Sequence, residues 1–223
     1  MGTKVINMVY DLKHTLSELK KRSIKLLEKG HKKLFIVMVF KIRSPTLTEY
    51  PYYVACFTQA NNMKEVEKAL KVYEEIFRGE KLVDFEIKVN HQWENPKPTL
   101  KNIDEVMKKI EEIGKEFEEK IAKKLPEKLR KKPITPLDAP ISVYIIFKEN
   151  KQTFGIEVTE DYYRIDREIL EYLTDSLPPT SKIQGYQVEP HELMLKEPEI
   201  EDYYIEEGHV IVELKTEFDK TKT

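Results

Sequence analysis

Val143–Lys148 reads VYIIFK, and far upstream Ile36–Lys41 reads IVMVFK. Both runs are short, apolar and rich in the β-branched and aromatic residues that suit a pleated strand, and both end in Phe-Lys. Each is followed by a polar break and a second strand-like run. After the first comes YYVACFT at Tyr52–Thr58, and after the second comes QTFGIEV at Gln152–Val158, close enough for a hairpin. What flanks these strand pairs decides the fold.

Upstream of the first pair, Val5, Val9, Leu12, Leu16, Leu19 and Leu26 form the stripe of an amphipathic helix over Lys4–Lys29, which Gly30 stops. The strand Lys33–Ile42 is apolar on both faces, so it is expected to be central and covered on both sides. Downstream, Asn62 caps a helix over Met63–Arg78, with Val66, Leu70, Tyr73 and Phe77 on one side and Gly79 at its end. Leu82–Asn90 then alternates, placing Val83, Phe85, Ile87 and Val89 inward and Asp84, Glu86, Lys88 and Asn90 outward. Around the second pair the order repeats. A long helix runs from Leu100 to about Lys124, with Ile103, Val106, Ile110, Ile113, Phe117 and Ile121 on one stripe, and Pro126 follows it. The proline-rich KPITPLDAP admits no helix. Beyond the hairpin come a helix over Ile165–Leu177, a strand near Tyr186–Glu189 that resumes at Glu192–Leu195, and a last strand over His209–Thr216.

The expected fold is therefore α+β, with two similar αββαβ units, mixed or antiparallel sheets, long charged outer helices and a possible internal duplication. The first unit is 1–98 and the second is 99–223, which carries an extra C-terminal strand; 132–140 is the linker-like segment. Aligning Phe40 with Phe147 and Leu70 with Leu170 requires only a shorter hairpin loop in the second copy.

Composition narrows the function classes. A chain of 223 residues that is 40% hydrophobic can bury a sizeable core. No apolar run approaches the ~20 residues of a membrane span, and MGTKVINMVYDLKH lacks the apolar core of a secretory signal, so a cytoplasmic protein with no membrane partner is expected. Charged residues make up 35% yet nearly cancel to a net charge of -2, and abundant Glu and Lys with few Gly point to a thermophilic host. Cys56 stands alone, which excludes an intrachain disulfide; within YYVACF it reads as a small buried hydrophobe. Nucleophile-elbow and phosphate-loop motifs are absent, and no cofactor is expected.

The candidate site residues are few. Asp84, Glu86 and Lys88 share a strand face in the spacing with which some nucleases hold Mg²⁺ and orient water, although a highly charged chain offers such a face freely. His91, His191 and Glu192 are weak candidates for a metal, because no ligand-pair spacing supports them. Lys123, Lys124, Lys128, Arg130, Lys131 and Lys132 form a basic run suited to phosphates, but they also follow a helix C-terminus, where cations are favoured. Trp93, Tyr203 and Tyr204 are of the types that anchor interfaces. Ile110 and Phe117 lie on the long apolar stripe, which the second unit is too small to cover fully. The sequence thus leads us to expect a non-enzymatic interaction or assembly protein, bound to itself as a homo-oligomer or to another protein. A nucleic-acid-binding protein or metal-dependent nuclease is the alternative.

Overall fold

The computed structural model describes residues 12–42, 52–91, 97–136, 140–161, 165, 167–190 and 199–215. Its elements are α1 (Leu12–Glu28), β1 (Leu34–Ile42), β2 (Tyr52–Ala60), α2 (Met63–Ile76), β3 (Lys81–Val89), α3 (Ile103–Lys124), β4 (Ile134–Pro136), β5 (Pro140–Glu149), β6 (Gln152–Asp161), α4 (Arg167–Asp175), β7 (Lys182–Pro190), β8 (Glu199–Glu206) and β9 (His209–Lys215). The class is α+β: a six-stranded sheet in the order β3-β1-β2-β6-β5-β7, and a three-stranded sheet in the order β4-β9-β8. Every pairing in the larger sheet is antiparallel.

Local chemistry explains where the helices start and stop. Asn62 and Asn102 each lie just before a helix and accept a hydrogen bond from the amide three residues on, at 3.1 Å from Glu65 and 3.0 Å from Glu105. Each glutamate reaches back to a backbone amide ahead of the cap, Asn61 at 2.7 Å and Lys101 at 2.8 Å. The pattern is a capping box built on Asn-x-x-Glu, and it starts α3 at Ile103 rather than at Leu100. Pro126 disfavours helical geometry at Leu125 and so ends α3, and the Arg130 side chain then bonds the Leu125 carbonyl at 2.9 Å.

Within the large sheet the order of strands in the first unit is third-first-second (β3-β1-β2), and in the second it is also third-first-second (β7-β5-β6). A register shift falls between Val39 and Phe40 where β1 meets β3, and another between Ile146 and Phe147 where β5 meets β7. The shift in β3 brings Leu82, not the expected Val83, opposite Phe40 and into the core. α1 packs on α2 and β3, and α3 packs on α4 and β7. An exposed ion pair spans each helix pair, Lys20–Glu67 at 2.7 Å and Arg167–Asp104 at 2.8 Å. Three elements were not expected. β4 lies inside the supposed linker and pairs in parallel with β9, β8 completes the small sheet, and the β5–β6 turn tightens to Asn150 and Lys151, both with positive φ. The expected helix start with Val5 and Val9 and the strand over Glu192–Leu195 lie outside the described residues.

One apolar core runs through the described residues of both halves of the chain. Leu34, Ile36, Met38, Phe40 and Ile42 of β1 face it, Phe40 stacks on Phe77 with ring centres 4.1 Å apart, and Tyr73 of α2 meets Phe154 of β6 edge-on. The stripe of α3 enters the same core. This corrects the expectation that it lies uncovered: Ile110 is 3% exposed and Phe117 4% exposed within a single copy of the chain. The stripe is covered because α4, β4 and β7 pack against α3; of these β4 was not expected, whereas the last strand, β9, was, and its Val210 and Val212 join the same core. β1 is also not covered equally on its two faces, since Val37, Val39 and Lys41 on the side away from the core stay half-buried.

On that second face, just beyond β3, the His91 ring lies tilted against Phe35 with ring centres 4.8 Å apart. At the opposite edge of the sheet, on β7, Leu100 and Tyr186 exchange backbone hydrogen bonds of 3.1 and 3.2 Å. Pro98 sits 2.5 Å from where a Cβ on Gly185 would lie, and the φ of +151° there also calls for glycine. Replacing Ile110 and Phe117 together by glutamate is expected to unfold the chain. Removing such side chains forfeits about 2–5 kcal/mol each, and a folded domain has only about 5–15 kcal/mol in hand. Circular dichroism with sedimentation checks this, and a folded variant returns the helix to the surface.

Candidate functional site

The structure separates the residues that the sequence suggested. Asp84, Glu86 and Lys88 do share one exposed face of β3, an edge strand. Lys88 is turned to Glu86 at 3.3 Å, and an Asp84 oxygen accepts the Phe85 backbone N–H at 2.8 Å, so both groups are engaged within their own strand. His91 is committed to its ring contact with Phe35, while His191, Glu192 and Trp93 lie outside the described residues. Among the described residues no three His, Cys, Asp or Glu side chains come close enough to hold a metal ion. In the basic run Lys123, Lys124, Lys128, Arg130, Lys131 and Lys132 are all exposed, and the Arg130 guanidinium donates to the Leu125 and Lys123 carbonyls at the end of α3. Cys56 is fully buried, and burial pushes its thiol up, which keeps it protonated and unreactive.

Two polar groupings were not visible in the sequence. The first occupies the second face of the large sheet, on β5, β6 and β7. Tyr144 donates its hydroxyl to a Glu157 oxygen at 2.9 Å, Thr159 donates to the same oxygen at 3.3 Å, and the Ser142 and Thr159 hydroxyls are 3.0 Å apart. Gln187 donates to Glu189 on the neighbouring strand. Burial first, then the Glu157 and Glu189 charges, raise the Tyr144 hydroxyl well above the ordinary phenol range. A phenol held protonated against a carboxylate serves as a hydrogen-bond donor rather than as a base or nucleophile. Strand register assembles it: Tyr144 pairs with Glu157, and Ser142 with Thr159. The signal was present as alternate polar residues in the two arms of one hairpin, but the sequence did not say which face they share.

The second grouping is a cleft of about 430 Å³ where α2 meets the β5–β6 turn, lined by Asn61, Lys64, Glu65, Lys68, Lys151 and Gln152 among others. Its donors are largely used by the chain itself. Glu65 takes Asn61 and Asn62, and Lys68 donates to the Glu149 carbonyl. Burial lowers the Lys68 ammonium, against the opposing pull of Glu149 and Glu65. Nearby, the Glu149 carboxylate is buried and accepts from Asn150, Thr180 and Ser181 at 2.8 to 3.1 Å, which pins the start of β7. These contacts fasten the fold.

The remaining unusual surface is β8. Among the described residues it pairs only with β9, leaving its outer edge open. Tyr203, Tyr204 and Ile205 are 37%, 42% and 50% exposed. The two-residue turn Glu207–Gly208, both with positive φ, aligns the hairpin so that Tyr203 and Ile205 lie across from Val212 and Val210, while Tyr204 lies across from Ile211 on the other face. Glu201, Asp202 and Glu206 around them are exposed. Large apolar side chains side by side on an open strand edge are unusual on a protein that exposes no use for them.

No protein-family model, curated protein or solved structure matches the chain. No helix among the described residues is long and apolar enough to cross a membrane.

The Tyr144 cluster has a consequence for alkaline stability. A hydroxyl whose folded-state value lies above the ordinary value of 10.0 contributes stability that is complete below the unfolded value and is lost as pH climbs toward the folded one. Tyr73, Tyr172 and Tyr186 are shifted in the same direction. Tyr144→Phe is therefore expected to lose stability less steeply than the parent in urea titrations from about pH 9 to about pH 12. Parallel slopes would mean that Tyr144 ionises freely in the folded protein.

Proposed function

We propose that this protein is a non-enzymatic interaction protein and that β8 is its docking element. The observation that carries this reading is the adjacent exposure of Tyr203, Tyr204 and Ile205 on a strand edge that is open among the described residues. Such an edge offers unpaired backbone groups for main-chain hydrogen bonds, with side chains on both faces for selectivity. Self-association remains one form of this reading, now centred on β8, because Ile110 and Phe117 are core residues. Replacing Tyr203, Tyr204 and Ile205 together by serine is expected to leave the circular dichroism spectrum unchanged and to abolish retention of the partner from the native host. Equal retention by parent and variant sinks the proposal. Retention that nuclease treatment abolishes favours the nucleic-acid alternative, with the exposed lysines beyond α3 as contacts.

The two αββαβ units are best read as an internal duplication. Supporting this are the common strand order, the register shifts one residue before Phe40 and Phe147, and the matching helix contacts. Positions facing the core keep their character, as in Ile36 and Val143, Met38 and Ile145, or Phe85 and Tyr186. Positions on the second face diverge: Phe35, Val37 and Phe57 in the first unit stand where Ser142, Tyr144 and Glu157 stand in the second. On this reading the joined pair descends from two copies that met through their second strands. Residues 1–98 expressed alone are then expected to form a folded dimer through β2, as seen by sedimentation, and a folded monomer counts against it.

A further inference from the structure

We infer that the segment docking on β8 is an extended strand from another protein with the pattern basic, apolar, any residue, apolar, basic. The inference rests on β8 being the docking element and goes on to specify what docks. In a strand added to an edge, each residue shares a face with the one it opposes. The centre of β8 reads Asp202-Tyr203-Tyr204-Ile205-Glu206, with acids at both ends, apolar residues next to them and Tyr204 in the middle. An added strand therefore meets Tyr203 and Ile205 on one face, continuing the apolar row of Val210 and Val212. On the other face it meets Asp202, Tyr204 and Glu206. The pattern reads the same in both directions, so it holds whichever way the added strand runs.

Charge decides between occupants. If a second copy paired on the same five residues, Asp202 of each copy would stand opposite Glu206 of the other, and like charges directly across a strand pair repel. Glu201 and Glu207, both exposed, add to that repulsion, and Glu213 lies beside Asp202 on β9. A basic segment turns every one of these contacts into an attraction. Another edge strand, β3 of the large sheet, supplies a contrast. It too has an aspartate bonded to the next backbone amide, Asp84 to Phe85 at 2.8 Å as Asp202 to Tyr203 at 2.7 Å. Its second face, however, carries only Asp84, Glu86 and Lys88, the mixed charges that keep an edge from pairing. Acids flank both of these strands, and on β8 they bracket the exposed Tyr203, Tyr204 and Ile205.

The test uses the full chain and two labelled synthetic peptides, one carrying Lys-Val-Thr-Val-Arg and one carrying Glu-Val-Thr-Val-Asp, each flanked by Gly and Ser and read by fluorescence anisotropy. The parent is expected to bind the basic peptide more tightly than the acidic one by about tenfold or more, with the preference shrinking as salt rises. The Asp202→Lys, Glu206→Lys double variant, checked for fold by circular dichroism, is expected to reverse the preference. The serine variant at 203–205 is expected to bind neither. Equal binding of the two peptides by the parent, or an unreversed preference in the charge-swapped variant, overturns the inference. So does absence of binding at about 1 mM peptide. If the serine variant nevertheless loses a partner from the native host, β8 stands as the docking element and only the basic character of the partner falls. A parent dimer that the serine changes dissolve also overturns it, in favour of a second copy.

Discussion

The pairing of β2 with β6 is the contact on which the rest of the structure depends. Val54–Thr58 lies antiparallel to Phe154–Val158 and turns two three-stranded sheets into one of six strands. Without it each half would present a long open edge through its middle, with unpaired backbone groups beside apolar side chains. The junction is fastened by side chains as well as by the ladder. The buried Thr58 hydroxyl donates to the Thr153 carbonyl at 2.7 Å, and Gln152 donates to Thr58 and to the Gln59 carbonyl at 3.1 and 3.0 Å. Lys68 adds a bond from α2 of the first unit to the β5–β6 turn of the second. A continuous sheet then presents a continuous face, and the helices of both units bury their stripes in one core.

The opposite face of that sheet is where the halves differ. In the first unit the Phe35 ring meets Phe57 and His91 with ring centres 6.1 and 4.8 Å apart, and the Phe57 ring fills the space a side chain at Gly155 would need, 2.4 Å from an added Cβ. In the second unit the corresponding surface is a hydrogen-bonded set of hydroxyls around Glu157. Phe57 touches Tyr144 edge-on at 6.1 Å, so the apolar and polar halves meet at the junction of the two units. A half-buried carboxylate that keeps two hydroxyl donors is well solvated by protein, and this explains how a polar cluster is tolerated beside aromatic rings.

The small sheet answers to different constraints. β9 contributes Val210 and Val212 to the core, and β4 lies parallel to it under α3, so two of its strands are held by burial. Among the described residues β8 pairs only with β9, its Ile200 packs against the core, and Tyr203 and Tyr204 stay exposed. That division gives one sheet a fixed side and an available side, which is the arrangement an edge-binding protein requires.

Local patterns were legible in the sequence because they obey spacings set by one element's own geometry. The apolar runs at Ile36–Lys41 and Val143–Lys148, the alternation of Phe85, Ile87 and Val89, and the stripe of α3 all return as elements. Tyr203 and Tyr204 were marked as exposed aromatics and are exposed. The same spacings were silent on partners. An apolar stripe has the same period whether its neighbour is a second copy or another element of the same chain, so Ile110 and Phe117 were assigned to an interface although α3 packs on α4, β4 and β7 and both side chains are buried. The Tyr144–Glu157 bond and the open edge of β8 likewise depend on which strands lie side by side. By itself the sequence determined most of the helices and strands and which of their faces are apolar, but not β4 and β8. Only the tertiary structure decided what covers those faces, because that is set by contacts between residues far apart in the chain, and no local period records them.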